Sequence, residues 1–417
     1  MLSVKAYTLA NGLRVVWYPD PTHSVYLTLS TRGGPRFEQF EEFGISHFFE
    51  HLCVRNPDLL RKMELLGDGL ANAETDLEDI SYYFSFPNRN LLKGVELLGQ
   101  VWISSVSAME FEKERAVVEI EYVELATDPR SVLDDLFMGE AWRGHPLGSS
   151  DTILWQQNLP NQTLEQFRSF RSRIQCGKNT VLSVLGDDVP MPRLLEILER
   201  TMGQLPEGSA FKIDHQPLPN RNGFTVVKQD CPFELVHCLL GFPLPRLKAA
   251  ERLALDAFST WFGDPDLFSA VLFDRVRNDL GLVYGISSKT EYFYDSAALA
   301  VRWSCAREDV ELILNVVMDE IQKIARDGMS RDEFQRAKEI LFLRREIALE
   351  QPATISEFLA EEYLRFGRVD NPADWVRQAR RTRRPDLVHL VRNYLTPQRA
   401  VLALYGPVEN ITPRILI

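Results

Sequence analysis

The feature that most constrains the fold of this chain is a partial internal duplication. A helix-like segment opens at Met109, and a similar segment opens 220 residues later at Met329. The strand-like segments that contain Val181 and Val401 are separated by the same 220 residues. Two equal offsets indicate two copies of one unit, each of about 200 residues and therefore large enough to be a domain.

Both copies begin with the same kinds of element. In the first copy the strand-like run SVYLTLS (24–30) precedes a helix. In the second copy LVHCLLGF (235–242) precedes the amphipathic run AAERLALDAFSTWF (249–262). Further strands and amphipathic helices follow in both. This order predicts an α+β fold with two homologous domains, each a mostly antiparallel sheet with helices packed on one face.

The domain boundaries follow from the polar, proline-bearing stretch between the copies, GQLPEGSAFKIDHQPLPNRNG. Such a composition is typical of a linker. We therefore predict a first domain at 1–210, a linker at 211–222 and a second domain at 223–417.

Charge and cysteine content limit the partners and the compartment. The net charge of −12 argues against non-specific binding to nucleic acid or anionic membranes. No run reaches the length of about 18 apolar residues that a membrane span needs. The N-terminus lacks the apolar core of a secretory signal, and the five cysteines form no C-x-x-C pair. We predict a cytoplasmic protein without nucleic-acid or membrane partners.

The stretch GISHFFEHL (44–52) carries the strongest functional signal. His47 and His51 are four residues apart and so project from one face of a helix, with Glu50 on the adjoining face. Two imidazoles can bind Zn2+, and a nearby carboxylate can take a proton from water and give it to a leaving amine. H-x-x-E-H is a known catalytic pattern, but so short a pattern also recurs by chance on helices without a metal.

A catalytic zinc site needs a third protein ligand. Glu114 and Glu121 are the best candidates, because they lie two turns apart on one helical face among apolar residues, where an unpaired carboxylate is costly. A merely solvated face is the alternative interpretation of this segment. His145 is a competing ligand that we favour less, because its neighbours Gly144 and Pro146 predict a turn.

Several motifs in the expected order resemble one known family. These motifs are TLANGLRVVWY at 8–18, the H-x-x-E-H helix, the NAET and YY elements between Asn72 and Tyr83, and the helix that carries Glu114 and Glu121. Together they resemble the M16 zinc peptidases, the family of pitrilysin and insulin-degrading enzyme. The length and the two copies resemble subunits of the mitochondrial-processing-peptidase type, and the resemblance extends over nearly the whole chain.

The resemblance implies roles for individual residues of the first copy. His47, His51 and Glu121 are expected to bind Zn2+. Glu50 is expected to act as the general base, and Glu114 to orient one of the ligands.

Other matching positions are expected to contact the substrate. Asn72 and Ala73 match the family element that holds the substrate backbone as an added strand at a sheet edge. The second copy lacks H-x-x-E-H and is expected to bind no zinc. Its Arg277 and Tyr284 match an R-x6-Y element that reaches the substrate carbonyl and can stabilise an oxyanion. Without the resemblance, both would be read as ordinary surface and strand residues.

The resemblance thus implies a zinc metallopeptidase that hydrolyses short or unfolded peptides inside a clam-shaped, dimeric chamber. In the family the arginine and tyrosine act on the zinc site of the facing half. A chain that carries both elements is therefore expected to form a homodimer, with a heterodimer of related subunits as the alternative. A non-catalytic scaffold subunit, which would lose the metal ligands, and a regulatory or storage zinc site, which would not need Glu50, Arg277 or Tyr284, are the alternative functions.

One departure from the family pattern lies just after the motif. Glu121 follows His51 by 70 residues, a shorter separation than is usual in the family. We expect the shortened segment to alter the wall of the pocket rather than zinc binding.

Overall fold

The computed structural model describes residues 3–67, 69–149, 151–213, 215–221 and 223–416, and the side chains of 69–71 lie outside this description. The strands, labelled β1 to β11 in chain order, are Lys5–Thr8, Arg14–Tyr18, Ser24–Arg32, Gly69–Thr75, Asp79–Pro87, Thr180–Leu185, Thr225–Asp230, Val236–Pro245, Ile286–Tyr292, Ser296–Cys305 and Val401–Gly406.

The α-helices, labelled α1 to α14 in chain order, are Ile45–Cys53, Pro57–Glu64, Leu91–Ile103, Ala108–Leu125, Pro129–Ala141, Thr152–Asn158, Leu164–Ile174, Met191–Arg200, Ala249–Gly263, Val310–Asp327, Arg331–Ala348, Pro352–Phe366, Pro372–Gln378 and Arg384–Tyr394. A π-helical segment covers Phe273–Asp279. Within the described ranges, every helix is too short or too polar to span a lipid bilayer.

The chain forms two compact units that are each discontinuous in sequence. Unit 1 comprises Met1–Glu124, Ile153–Lys212 and Ile347–Pro372. Unit 2 comprises Leu125–Thr152, Ile213–Glu346 and Ala373–Ile417. The predicted domains at 1–210 and 223–417 differ from these compact units, because Leu125–Thr152 belongs to unit 2 and Ile347–Pro372 belongs to unit 1.

Unit 1 is built on a six-stranded sheet with the order β1-β2-β6-β3-β5-β4, in which only the β2–β6 pair is parallel among the described strands. Alternation along the strands gives the sheet two different faces. On one face Phe86 packs so closely on α3 that a side chain at Gly94 would lie 2.6 Å from its ring. On the other face Thr28 bonds through its hydroxyl to Ser356 of α12, at 2.8 Å.

Unit 2 is built on a five-stranded sheet with the order β7-β11-β8-β10-β9, in which β7 and β11 run parallel. Its main core lies on the face that carries Leu240, Phe242 and Leu299. On the other face a side chain at Gly241 would lie 2.1 Å from the ring of Phe137 in α5, so glycine allows that helix to pack directly on the sheet.

The predicted fold class is confirmed. Both sheets are mostly antiparallel, and each carries its main layer of helices on one face. In addition, one helix covers part of the opposite face: α12 in unit 1 and α5 in unit 2.

Candidate metal centre

The first turns of α1 place two histidines on one side of a helix whose other side is fully buried. Phe48, Phe49 and Leu52 are at most 2 % exposed and anchor the helix in the core of unit 1. His47 and His51, one turn apart, are only partly buried. Burial of the apolar side therefore sets the direction in which the two imidazoles point.

Glu121 of α4 meets both imidazoles. Its carboxylate oxygens lie 3.4 Å from His47 Nε2 and 3.2 Å from His51 Nε2, and the two Nε2 atoms are 3.3 Å apart. The His47 and His51 rings hold the pKa of the Glu121 carboxyl far below its usual range, so this group is a carboxylate at neutral pH. Among the described residues, this is the only group of three side chains arranged to hold a metal ion.

The spacing of these atoms fits zinc. Ligand bonds of about 2.0–2.1 Å at tetrahedral angles put neighbouring donor atoms about 3.3 Å apart. The two Nε2 atoms, at 3.3 Å, match this value, and each lies at a similar distance, 3.4 or 3.2 Å, from one of the two oxygens of the Glu121 carboxylate. Two imidazole nitrogens and one carboxylate are also the kind of donor set that catalytic zinc sites use, with a fourth position for water or substrate.

A second carboxylate orients one of the imidazoles. Glu114, on α4 two turns before Glu121, is 2 % exposed, and its Oε1 lies 3.0 Å from Nδ1 of His51. This contact favours the tautomer with the proton on Nδ1, which leaves Nε2 as an acceptor that faces the cluster. Arg55 forms an ion pair with the other oxygen of Glu114. Nδ1 of His47 has no hydrogen-bond partner among the described residues.

Two strands of the sheet hold Glu50, the residue before His51 on α1. Its carboxylate accepts a hydrogen bond of 3.0 Å from the Thr75 hydroxyl on β4, and its backbone carbonyl accepts one of 3.3 Å from the Tyr82 hydroxyl on β5. We did not predict Thr75 or Arg55 as supporting residues. Thr75 belongs to the NAET element, so the motif contained a signal, whereas nothing local distinguishes Arg55.

Asn72 and Ala73 lie on the last strand of the unit 1 sheet, as expected. They are registered against Tyr83 and Tyr82 of β5, just after an irregularity between Leu70 and Asn72. A terminal strand keeps one side for pairing with another extended segment.

Arg277 and Tyr284 lie together in unit 2. Nη1 of Arg277 donates to the carbonyl oxygen of Tyr284 at 2.6 Å, and the guanidinium lies 4.9 Å from the centre of the Tyr284 ring. Gly281, with φ +68°, allows the turn that reverses the chain between them. The Tyr284 side chain is 88 % exposed, so it is free to meet another molecule.

His145, the competing candidate ligand, contacts residues of its own unit. It lies in unit 2, where its Nε2 is 3.5 Å from a carboxylate oxygen of Asp295 and its Nδ1 accepts from the Leu147 amide. It does not belong to the group that is arranged to hold a metal.

In unit 2 the elements that correspond to those of the candidate site bring a carboxylate and an arginine together. In the repeat, α9, β9 and α11 correspond to α1, β4 and α4. Asp256 on α9 accepts from Tyr292 of β9 at 2.5 Å, much as Glu50 accepts from Thr75. Arg345 of α11 donates to the same carboxylate at 2.8 Å. A fixed guanidinium thus neutralises the carboxylate in this unit.

Comparisons with known proteins point to one family. The family model described as "Insulinase (Peptidase family M16)" matches residues 14–152. The model described as "Peptidase M16 inactive domain" matches residues 161–341. A protein of Rickettsia felis named "Uncharacterized zinc protease" is 28 % identical over 410 residues, which cover 96 % of each chain.

Solved structures share the whole fold. A protease from Helicobacter pylori superposes with a TM-score of 0.88 at 22 % identity, covering 98 % of this chain and 100 % of the other. A chain of complex III from Candida albicans superposes with a TM-score of 0.83 at 16 % identity, covering 98 % and 97 %. With two models of one family matching successive segments and relatives aligned along its length, this chain belongs to the M16 peptidase family.

Proposed function

We propose that this chain is a zinc-dependent endopeptidase that hydrolyses peptide bonds in short or unfolded peptides. The observation that carries the proposal is the convergence of His47, His51 and Glu121 at separations that suit tetrahedral zinc, with Glu50 on the same helix as the imidazoles. The relatives named zinc proteases support the same activity.

In this proposal the three converging side chains bind Zn2+, which, when bound, supplies a Lewis acid for the peptide carbonyl and for water. Glu50 accepts a proton from the attacking water and then donates it to the leaving amine, and the bond from Thr75 holds its carboxylate in place. Glu114 keeps the proton of His51 on Nδ1 and so keeps Nε2 available as a ligand.

The substrate is proposed to bind as an added strand beside Asn72 and Ala73 of β4. Arg277 and Tyr284 are proposed to stabilise the developing negative charge on the scissile carbonyl. Two identical chains would form a clam-shaped chamber in which these two residues of one chain serve the metal cluster of the other. A heterodimer with a related subunit is the alternative assembly, and the cytoplasm is the proposed location.

The test is cleavage of a quenched fluorescent peptide library by the zinc-loaded full chain and by Glu50→Gln. The matched control is Glu119→Gln, which removes an exposed carboxylate from α4. We expect Glu50→Gln to lose cleavage while keeping its zinc content, because it removes the proton acceptor and no ligand. Equal loss in Glu119→Gln, or full activity in Glu50→Gln, would contradict the proposal.

Mixing two inactive variants tests the shared site. We expect Glu50→Gln and Arg277→Ala to regain activity when mixed, since one composite site of the mixed dimer keeps both residues. A mixture that stays inactive although both variants dimerise and exchange subunits argues against a site shared by two copies.

A second candidate function is a non-catalytic partner subunit, which the description of the second family model as an inactive domain favours. In that case the zinc-loaded chain cleaves no peptide by itself and associates with a related subunit rather than with its own copy.

A further inference from the structure

The helix that carries both histidines starts without a capping side chain. Its N-cap is Gly44, with φ +87°, and no side chain of that residue can bond the first turn. The first N–H groups of an α-helix have no partner within the helix, so the first turn frays unless another group accepts them. His47 is the third residue of α1 and lies in this turn.

Glu38 supplies the missing cap from outside the helix. Its two carboxylate oxygens accept hydrogen bonds from the amides of Gly44 and Ser46, both at 2.9 Å. The Ser46 hydroxyl bonds to the same carboxylate. A carboxylate at this end of a helix is also favoured by the helix dipole.

Gly44 is tied to α4 as well. The Tyr122 hydroxyl donates to the Gly44 carbonyl at 3.0 Å, and a side chain at position 44 would lie 2.9 Å from that hydroxyl. Tyr122 is fully buried and directly follows Glu121. Gly44 therefore ties the start of α1 to two other parts of the unit. Its N–H bonds to Glu38, and its C=O bonds to α4, the helix that carries Glu121.

We infer that Glu38 is a positioning residue for the metal cluster: through Gly44 and Ser46 it holds the first turn of α1 so that His47 stays within reach of Glu121. This inference rests on the proposed function, because it assumes that the cluster binds a metal. Residues that support metal ligands without touching the metal typically change metal affinity about 10- to 100-fold when they are replaced. We expect a loss of about tenfold for Glu38→Ala.

The matched control is Glu42→Ala. Glu42 lies in the same segment and is 6 % exposed, but its carboxylate pairs with Arg173 of α7 at 2.6 and 2.8 Å rather than with α1. Both substitutions remove a carboxylate that holds the segment in place. Only the substitution at Glu38 removes the contacts that hold the first turn of α1.

The experiment compares the full-length wild-type chain, Glu38→Ala, Glu38→Gln and Glu42→Ala. Zn2+ affinity is measured by competition with a chromophoric chelator, and the visible spectrum of the Co2+-loaded chain reports the ligand geometry. We expect weaker Zn2+ binding and an altered Co2+ spectrum for Glu38→Ala. We expect partial recovery in Glu38→Gln, which keeps an acceptor oxygen, and wild-type values for Glu42→Ala.

Three results would overturn the inference. In the first, Glu38→Ala binds Zn2+ as tightly as the wild-type chain, while the wild-type chain binds zinc and cleaves peptides, so the proposed function survives. In the second, Glu42→Ala weakens binding as much as Glu38→Ala does. In the third, the wild-type chain binds neither ion, and the proposed function fails too. If Glu38→Ala does not fold, Ser46→Ala, which removes the hydroxyl that bonds to Glu38, tests the same linkage, and unchanged affinity there counts against it.

Discussion

The contact between Glu114 and His51 gives the sharpest test of the metal centre. In Glu114→Gln the side chain keeps its size and one acceptor oxygen, but it loses its charge. The oxygen that faces His51 Nδ1 at 3.0 Å then becomes a neutral acceptor. The side chain is 3 % exposed, so solvent cannot replace the lost charge.

The size of the effect follows from the strength of that hydrogen bond. Hydrogen bonds to charged groups contribute about 1.5–3 kcal/mol, and those between neutral groups about 0.5–1.5 kcal/mol. The midpoints of these two ranges differ by about 1.25 kcal/mol, which corresponds to a roughly eightfold loss of zinc affinity. Glu114→Ala removes the bond altogether and leaves Arg55 without its partner, so we expect a loss closer to 100-fold.

The assay is competition for Zn2+ between the chain and a chromophoric chelator at neutral pH. Urea unfolding in EDTA separates an effect on the metal site from an effect on the fold. Glu119→Gln, an exposed change on the same helix, is the control and should bind Zn2+ like the wild-type chain. Unchanged affinity in Glu114→Gln would refute the reasoning. So would a loss that the stability of the metal-free chain explains in full.

Two further predictions concern unit 2. Burial raises the pKa of Asp135 to about 7, although its carboxylate accepts from the Thr152 amide. Its protonated form therefore stabilises the fold fully below the ordinary carboxyl pKa, and this contribution is lost as the pH rises through about 7. Asp135→Asn should weaken the dependence of the urea unfolding midpoint on pH between pH 5 and pH 8. The same dependence on pH as in the wild-type chain would contradict this account. Arg345→Met should lower the free energy of unfolding by about 3 kcal/mol, because it leaves the partly buried Asp256 carboxylate without its cation. Arg344→Met, at a more exposed ion pair, should cost less than about 1 kcal/mol, and equal losses in urea unfolding would contradict this difference.

Local geometry explains why much of the candidate metal centre could be predicted. Residues four apart on a helix share a face whatever the helix packs against, so the spacing of His47 and His51 already implied two imidazoles side by side. The same argument placed Glu114 and Glu121 on one face of α4. Arg277 and Tyr284 were predicted as a pair only from the resemblance, and they do lie in contact.

Residues that act across long separations were not predicted. Glu38 lies outside the helix that it caps, and Thr75 reaches Glu50 because β4 packs against α1. Arg345 looks like one charge among several on α11, and its contact with Asp256 depends on how α9 and α11 pack. Such partners are selected by packing, for which a single sequence contains no periodic signal.

The sequence by itself determined the repeats, the order of strands and helices and the one-turn spacing of the two histidines, because these depend on backbone geometry over a few residues. Only the tertiary structure decided which carboxylates meet those histidines and which helix covers which sheet. In particular, α5 and α12 each pack in the unit built mainly from the other repeat. Hydrophobic burial does not depend on chain order, so a helix packs on whichever apolar face its connections allow it to reach.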